Sequence, residues 1–421
     1  MNDFVEIRAR IALLVIDAMQ KAIAAGDLAL FDIPDDIPVD PSRYESHGDY
    51  GTPVCLGLAK VLRTAPMKIA EKIIPYMDSV DFIANVDVAA PGFINFTLDP
   101  GWLAAQVRTV FEAGKSWGDV AIGVGQRVQV EFVSANPTGP ITIASTRNAV
   151  IGDSIASVLD AAGYEVSREY YVNDAGSKIS NFGGSLLSRY AALLGEDIPF
   201  PENGYPGQYV TDFAKQVVEA RGDRFLHMER SAAVRELGIW GIEQVLKGVE
   251  QDLAKLNVKF DSWFSERSLY SSGLFEQMMD KLRAGGFIKE YDGATWFSHP
   301  DLDKDAVLIR SPRVIPDPEG RPTYLASDIP YLWNKLKIRK FDKAIYIWGA
   351  DHHGDVPRVL AAAKAVGVDI SRMVIIVYQM VTMMRGGEEV RMSKSSGEFI
   401  TLRELVDEVG PDPIRFMLLT R

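Results

Sequence analysis

The sequence has 421 residues, 45 Lys and Arg against 57 Asp and Glu for a net charge of -12, 47% apolar residues, 5 His and 1 Cys. At roughly 150 residues per domain this length predicts two or three domains, and the ordinary apolar and charged content excludes a disordered, coiled-coil or collagen-like chain. The lone Cys55 excludes an intrachain disulfide and a cysteine-built zinc site and fits a reducing compartment, the cytoplasm by default. No run approaches roughly 18 apolar residues, so no membrane span is expected, and the acidic balance argues against indiscriminate nucleic-acid binding.

Residues 4 to 25 repeat apolar side chains at helical spacing (Val5, Ile11, Leu14, Val15, Ala18, Ala22) and meet Gly26, a good C-terminal cap. A helical run from Leu56 to Leu62 follows, and alternation over Val80 to Val88 and Pro91 to Leu98 predicts two strands. Residues 1 to about 115 thus read as a small α+β domain, with a glycine-bearing linker from Lys115 to Gly125.

From Arg127 the grammar changes to strand (Arg127 to Val133), helix (Arg147 to Ala162, before Gly163) and strand (Val166 to Val172), the order of a βαβ unit. The same order recurs as a strand Ala344 to Trp348, a helix Asp355 to Val366 with Pro357 in its first turn, and a strand Met373 to Tyr378. Residues 174 to about 290 read as mostly helical and look inserted between the halves of one sheet. The expected fold class is α/β, a Rossmann-type parallel sheet with helical insertions after a small α+β domain.

Ligands of such sheets sit at the carboxyl ends of the strands, where helix N-termini present unpaired N–H groups. Two strand ends are unusual here: Glu131 to Arg147, a small-residue turn feeding a helix, and Trp348-Gly-Ala-Asp-His-His-Gly354. Neither contains GxGxxG or a P-loop, which counts against a dinucleotide fold or a Walker ATPase. Near the end, Arg391-Met-Ser-Lys-Ser395 puts an ammonium between serines on a loop, a reasonable phosphate clamp.

Taken together, Ser134-Ala-Asn-Pro-Thr-Gly-Pro140, Arg147-Asn-Ala-Val-Ile-Gly-Asp153, Arg168-Glu-Tyr-Tyr-Val-Asn-Asp-Ala-Gly176, Trp348 to Gly354 and Arg391 to Ser395 closely resemble bacterial arginyl-tRNA synthetases, class I enzymes. His47-Gly-Asp-Tyr50 and Gly92-Phe-Ile-Asn-Phe96 extend the resemblance to the N-terminal domain. It implies a chain that, as a monomer, activates L-arginine with ATP and Mg²⁺ and passes it to tRNA(Arg), with residues 1–115 touching the tRNA elbow and 116–421 forming the catalytic domain. Arginine would be bound by Glu131, Ser134, Asn136, Tyr324 and Asp328; a guanidinium wants planar carboxylate partners and a tyrosine. ATP would be bound by Gly139, Ala144, Gly349, Asp351, His352, Met392, Ser393 and Lys394, with Lys394 holding phosphates during catalysis. Family members continue past the position of Arg421 into an anticodon-binding domain, which is expected to be missing from this sequence.

The family's His-x-Gly-His signature is replaced here by Thr142, Ala144 and Ser145. Hydroxyls of Thr142 and Ser145 can donate hydrogen bonds but carry no charge. Losing one preorganised transition-state donor costs about 2.7 to 4 kcal/mol, so impaired adenylation is expected. Two alternatives stand beside this reading: a non-catalytic relative that binds arginine or RNA, and a metal phosphoesterase using Asp351, His352 and His353.

Overall fold

The computed structural model describes residues 3–311, 321–381, 384–385, 388–389 and 400–420. They divide into two compact units, Met1–Ile122 with Ala161–Gly163, and Gly123–Asp160 with Tyr164–Arg421.

The first unit starts with the helix Asp3–Ala24, whose Ile7, Ile11, Val15, Ala18 and Ala22 form one fully buried stripe. They pack with Ile69, Ile73, Ile94 and Phe96. Gly26 follows the helix at φ 83°, the left-handed position that favours glycine. The two expected strands are present as Ile83–Ala89 and Phe93–Leu98, and they pair antiparallel.

The second unit is built on five parallel strands: β1 (Arg127–Glu131), β2 (Glu165–Val172), β3 (Ser262–Ser265), β4 (Lys343–Gly349) and β5 (Met373–Tyr378). Their order across the sheet is β5-β4-β1-β2-β3. Chain order reverses between β1 and β4, which makes the gap at their carboxyl ends the topological switch point. The expected α/β class with a Rossmann-type parallel sheet is therefore what the chain adopts.

Alternation along the strands sends Val128, Val130, Phe132, Ile345 and Ile347 into one layer of core and Ala344 and Tyr346 into another. The same alternation carries Gln129, Glu131 and Glu169 into buried positions beside Tyr346. Buried carboxylates demand partners, and the helix Tyr324–Trp333 with the π-helical turn Asn334–Ile338 supplies them.

Two features depart from the expectation of a helical insertion over 174–290. That stretch contains the helices Ser177–Leu193, Gln208–Arg221 and Arg230–Lys255, but it also provides β3, the edge strand of the main sheet. A second, antiparallel sheet of four strands follows, from Ile288–Tyr291 to Arg321–Pro322. Four-residue strands whose residues are all half-buried, as in β3, leave no readable period.

Candidate active site

At the switch point lies a cavity of about 1130 Å³ lined by the ends of β1, β4 and β5 and by the helix starting at Tyr324. It brings together, from the sequence candidates, Glu131, Ser134, Asn136, Ala144, Ser145, Tyr324, Asp328, Gly349, Asp351 and His352. Thr142 and Gly139 do not line it. Thr142 is buried and forms a β-bridge with Thr401, flanked by hydrogen bonds from Ile143 N to Ile400 O at 3.3 Å and from Leu402 N to Ile141 O at 2.8 Å. Gly139 instead faces Tyr209, whose hydroxyl would lie 3.0 Å from an added Cβ. Met392, Ser393 and Lys394 lie outside the described residues.

The backbone leaving β1 turns sharply. Val133 and Ser134 have φ of 65° and 40°, and a β-branched residue in this region is strained. Asn148, from the following helix Ile143–Ala161, holds the turn: its Oδ1 accepts from Val133 N at 2.7 Å and its Nδ2 donates to Ile347 O at 2.8 Å. The turned Ser134 donates from Oγ to Glu131 Oε1 at 3.1 Å and accepts from Tyr171 N at 3.1 Å. One asparagine and one serine thus tie the ends of β1, β2 and β4 into a single wall.

Charge in the cavity is unevenly satisfied. Glu131 Oε2 accepts from Lys335 Nζ at 2.5 Å. Below it, Glu169 accepts from Gln129 at 2.7 Å, Tyr331 at 2.6 Å and both terminal nitrogens of Arg339. Burial opposes ionisation of Glu169, but the Arg339 hydrogen bonds and the charge of Lys335 outweigh it and hold its pKa low. Asp328 has only the charge of Lys335 in its favour, which does not offset the opposing causes. Among the described residues it makes no hydrogen bond or ion pair, and burial together with the negative charges of Glu131 and Glu266 raises its pKa well above the usual carboxylate range.

Glu266, one residue past β3, was not singled out in the sequence. It is buried, its Oε2 has no hydrogen-bond partner, and burial raises its pKa too. The buried Tyr171 hydroxyl and Ser327 lie beside it and partly oppose that rise. A carboxylate immediately after a strand of a parallel sheet was the available signal, but the strand itself was illegible. At the rim, Lys178 Nζ donates to Asn136 Oδ1 at 2.8 Å and to the Tyr324 hydroxyl.

At the end of β4, a Cβ on Gly349 would meet Asp351 Oδ1 at 2.4 Å, so the Asp351 carboxylate sits directly over the Gly349 backbone. The 3₁₀ turn Ala350–Asp355 then presents Asp351 and His352, and His352 lies 3.5 Å from Asp355 and 3.6 Å from Asp351. Among the described residues, no group of three or more His, Cys, Asp or Glu side chains could hold a metal ion, and no helix is long and apolar enough to cross a membrane. The cavity therefore offers the carboxylate of Asp328, unpaired among the described residues, at one wall and small or hydroxyl-bearing residues near a helix N-terminus at another. The first suits a ligand cation, the second a ligand that approaches the backbone closely.

Comparison with known proteins gives the same direction. Residues 9–98 match the family model for the arginyl-tRNA synthetase N-terminal domain. Residues 106–193 and 229–413 match that for the class I arginine-type tRNA synthetase catalytic domain. The chain is 44% identical over 423 residues to an arginine–tRNA ligase of Dehalococcoides mccartyi, covering 100% of this chain and 74% of the relative. It is 43% identical to one of Heliobacterium modesticaldum, covering 100% of this chain and 73% of the relative. Among solved structures, a Campylobacter jejuni protein assigned as an arginyl-tRNA synthetase aligns with a TM-score of 0.66 at 35% identity, over 76% of this chain and 68% of that one. The Thermus thermophilus arginyl-tRNA synthetase shares the fold with a TM-score of 0.57 at 20% identity, over 98% of this chain and 74% of that one.

Proposed function

Since this chain belongs to the arginyl-tRNA synthetase family of class I, we propose that the cavity between the ends of β1 and β4 binds L-arginine and ATP, and that arginyl-adenylate formed there is the donor for tRNA(Arg). The observation that carries the arginine assignment is Asp328, which lines the cavity with no hydrogen bond or ion pair among the described residues and feels the negative charges of Glu131 and Glu266. Burying acceptors without donors is costly, and a guanidinium with five donors repays that cost. In this reading Asp328 and Tyr324 take the guanidinium, Glu131, Ser134 and Asn136 take the amino-acid end, and the negative potential of Glu266 strengthens the whole.

ATP then lies along Ala144, Ser145, Gly349, Asp351 and His352, with Gly139 in the adjoining turn and Met392, Ser393 and Lys394 as its further binding residues. Mg²⁺ enters with ATP as part of the substrate and is held chiefly by phosphate oxygens. Residues 1–115 meet the tRNA elbow, 116–421 carry the chemistry with an insertion over about 174–290, and the chain acts as a monomer.

Adenylation is weak in this chain while arginine affinity is retained. Thr142 is pinned against Thr401 and Ser145 has a short side chain, so neither reproduces a cationic imidazole at a phosphate. The Ala144 methyl stands at the cavity wall where a glycine would let adenine approach. Arginine-dependent exchange of pyrophosphate into ATP, with tRNA(Arg) present, tests this. The triple change Thr142→His, Ala144→Gly, Ser145→His is expected to raise exchange by about a hundredfold or more. Equal exchange in both proteins would overturn the assignment of impairment.

A further inference from the structure

Lys335 is the unusual residue of the second unit. Its side chain is 0% exposed, a rare state for a lysine that requires a partner. Its Nζ lies 2.5 Å from Glu131 Oε2 and 3.9 Å from the ring centroids of both Tyr331 and Tyr346. The ammonium is thus held between two aromatic faces and points at one carboxylate oxygen. The other oxygen, Oε1, is fixed by Ser134 Oγ at 3.1 Å. Glu169 and Arg339, the other charges packed against this layer, are engaged with each other.

We propose that Lys335 is a positioning residue: it holds Glu131 from within the protein so that the carboxylate presents a fixed acceptor edge to the cavity, tuned to the α-ammonium group of the bound amino acid. The claim rests on the arginine reading of the cavity and deepens it. A carboxylate clamped at both oxygens cannot swing towards the guanidinium end, where Asp328 already serves. Lys335 therefore governs recognition of the amino group directly and reaches the guanidinium end only through its charge, which favours ionised Asp328. The alternative role, plain neutralisation of Glu131, makes the opposite forecast, because removing a cation would then strengthen attraction for a second cation.

The probes are L-arginine and 5-guanidinopentanoate, which is arginine without its amino group, titrated calorimetrically into the full chain. Lys335→Met is expected to weaken arginine by about 10- to 100-fold, the range of one charge-assisted hydrogen bond, and to weaken 5-guanidinopentanoate by several-fold less, through the lost charge at Asp328 alone. In a Glu131→Gln background, the same Lys335→Met change should alter arginine affinity by less than about threefold, because the group it positions has lost its charge. The paired variant Glu131→Gln, Lys335→Met also removes the buried charge together with its partner, which keeps the test open if Lys335→Met alone does not fold. Equal weakening of both ligands, tighter arginine binding, or an undiminished effect in the Glu131→Gln background would each overturn the proposal. If the unaltered chain binds neither arginine nor 5-guanidinopentanoate, the arginine reading itself falls, and the positioning role falls with it.

Discussion

Asn148 Oδ1 accepts from Val133 N at 2.7 Å, and Asn148 Nδ2 donates to Ile347 O at 2.8 Å. This one side chain joins the ends of β1 and β4 and holds Val133 in a strained left-handed conformation. Asn148→Ala leaves a buried donor and a buried acceptor unmet, so it should cost at least about 2 kcal/mol in denaturant unfolding. Asn148→Asp keeps the acceptor and loses the donor, and should fall between. Wild-type stability in the alanine variant would show that the turn is held by other contacts.

Arginine affinity should depend on pH through Asp328. Burial first, then the charges of Glu131 and Glu266, raise its pKa well above the unfolded value. In the ligand-free protein the folded state therefore binds protons more tightly than the unfolded one. The resulting stability is full below the ordinary carboxylate pKa and is lost as pH rises through the raised value. A guanidinium favours the ionised form, so binding expels a proton, and affinity rises with pH across that window. Calorimetry in buffers of different ionisation enthalpy measures the released proton directly. Asp328→Asn should abolish both the proton release and most of the affinity.

Close approach of the helix Ile143–Ala161 to β1 depends on Gly152. A Cβ there would lie 2.2 Å from the Phe132 ring, which sits in the core with Val130 and Ile347. Gly152→Ala is expected to cost about 1 to 3 kcal/mol despite the higher helix propensity of alanine. Gly248, with nothing within 4 Å of an added Cβ, is the control: alanine there should stabilise slightly. Thermal unfolding of the two variants checks the contrast.

The parallel strands were legible because each carries a β-branched or aromatic run bounded by turn residues, and the observed β1, β2, β4 and β5 fall within one to two residues of the expected ones. Tyr324 and Asp328 were legible as neighbours on a helix, and the structure has that helix from Tyr324 to Trp333. Lys335 was not. In Asn334-Lys-Leu-Lys-Ile338 nothing local separates it from Lys337, and only the packing of the turn against Tyr331 and Tyr346 decides which ammonium is buried. Glu266 was missed for a similar reason: its place depends on β3, whose pairing with β2 is a long-range choice that four residues do not announce. Asp351 and His352 were legible as candidates because they follow directly on the apolar strand Ala344 to Trp348, and both line the cavity.

The central claim is that this cavity recognises the positive charge of arginine, whatever the efficiency of the later chemistry. The most direct measurement is calorimetric titration of the chain with L-arginine and with L-citrulline, which has nearly the same shape but no charge. The account predicts that arginine binds at least about a hundredfold more tightly and that Asp328→Asn largely removes the difference. Equal affinity for the two ligands, or discrimination that survives Asp328→Asn, would contradict it.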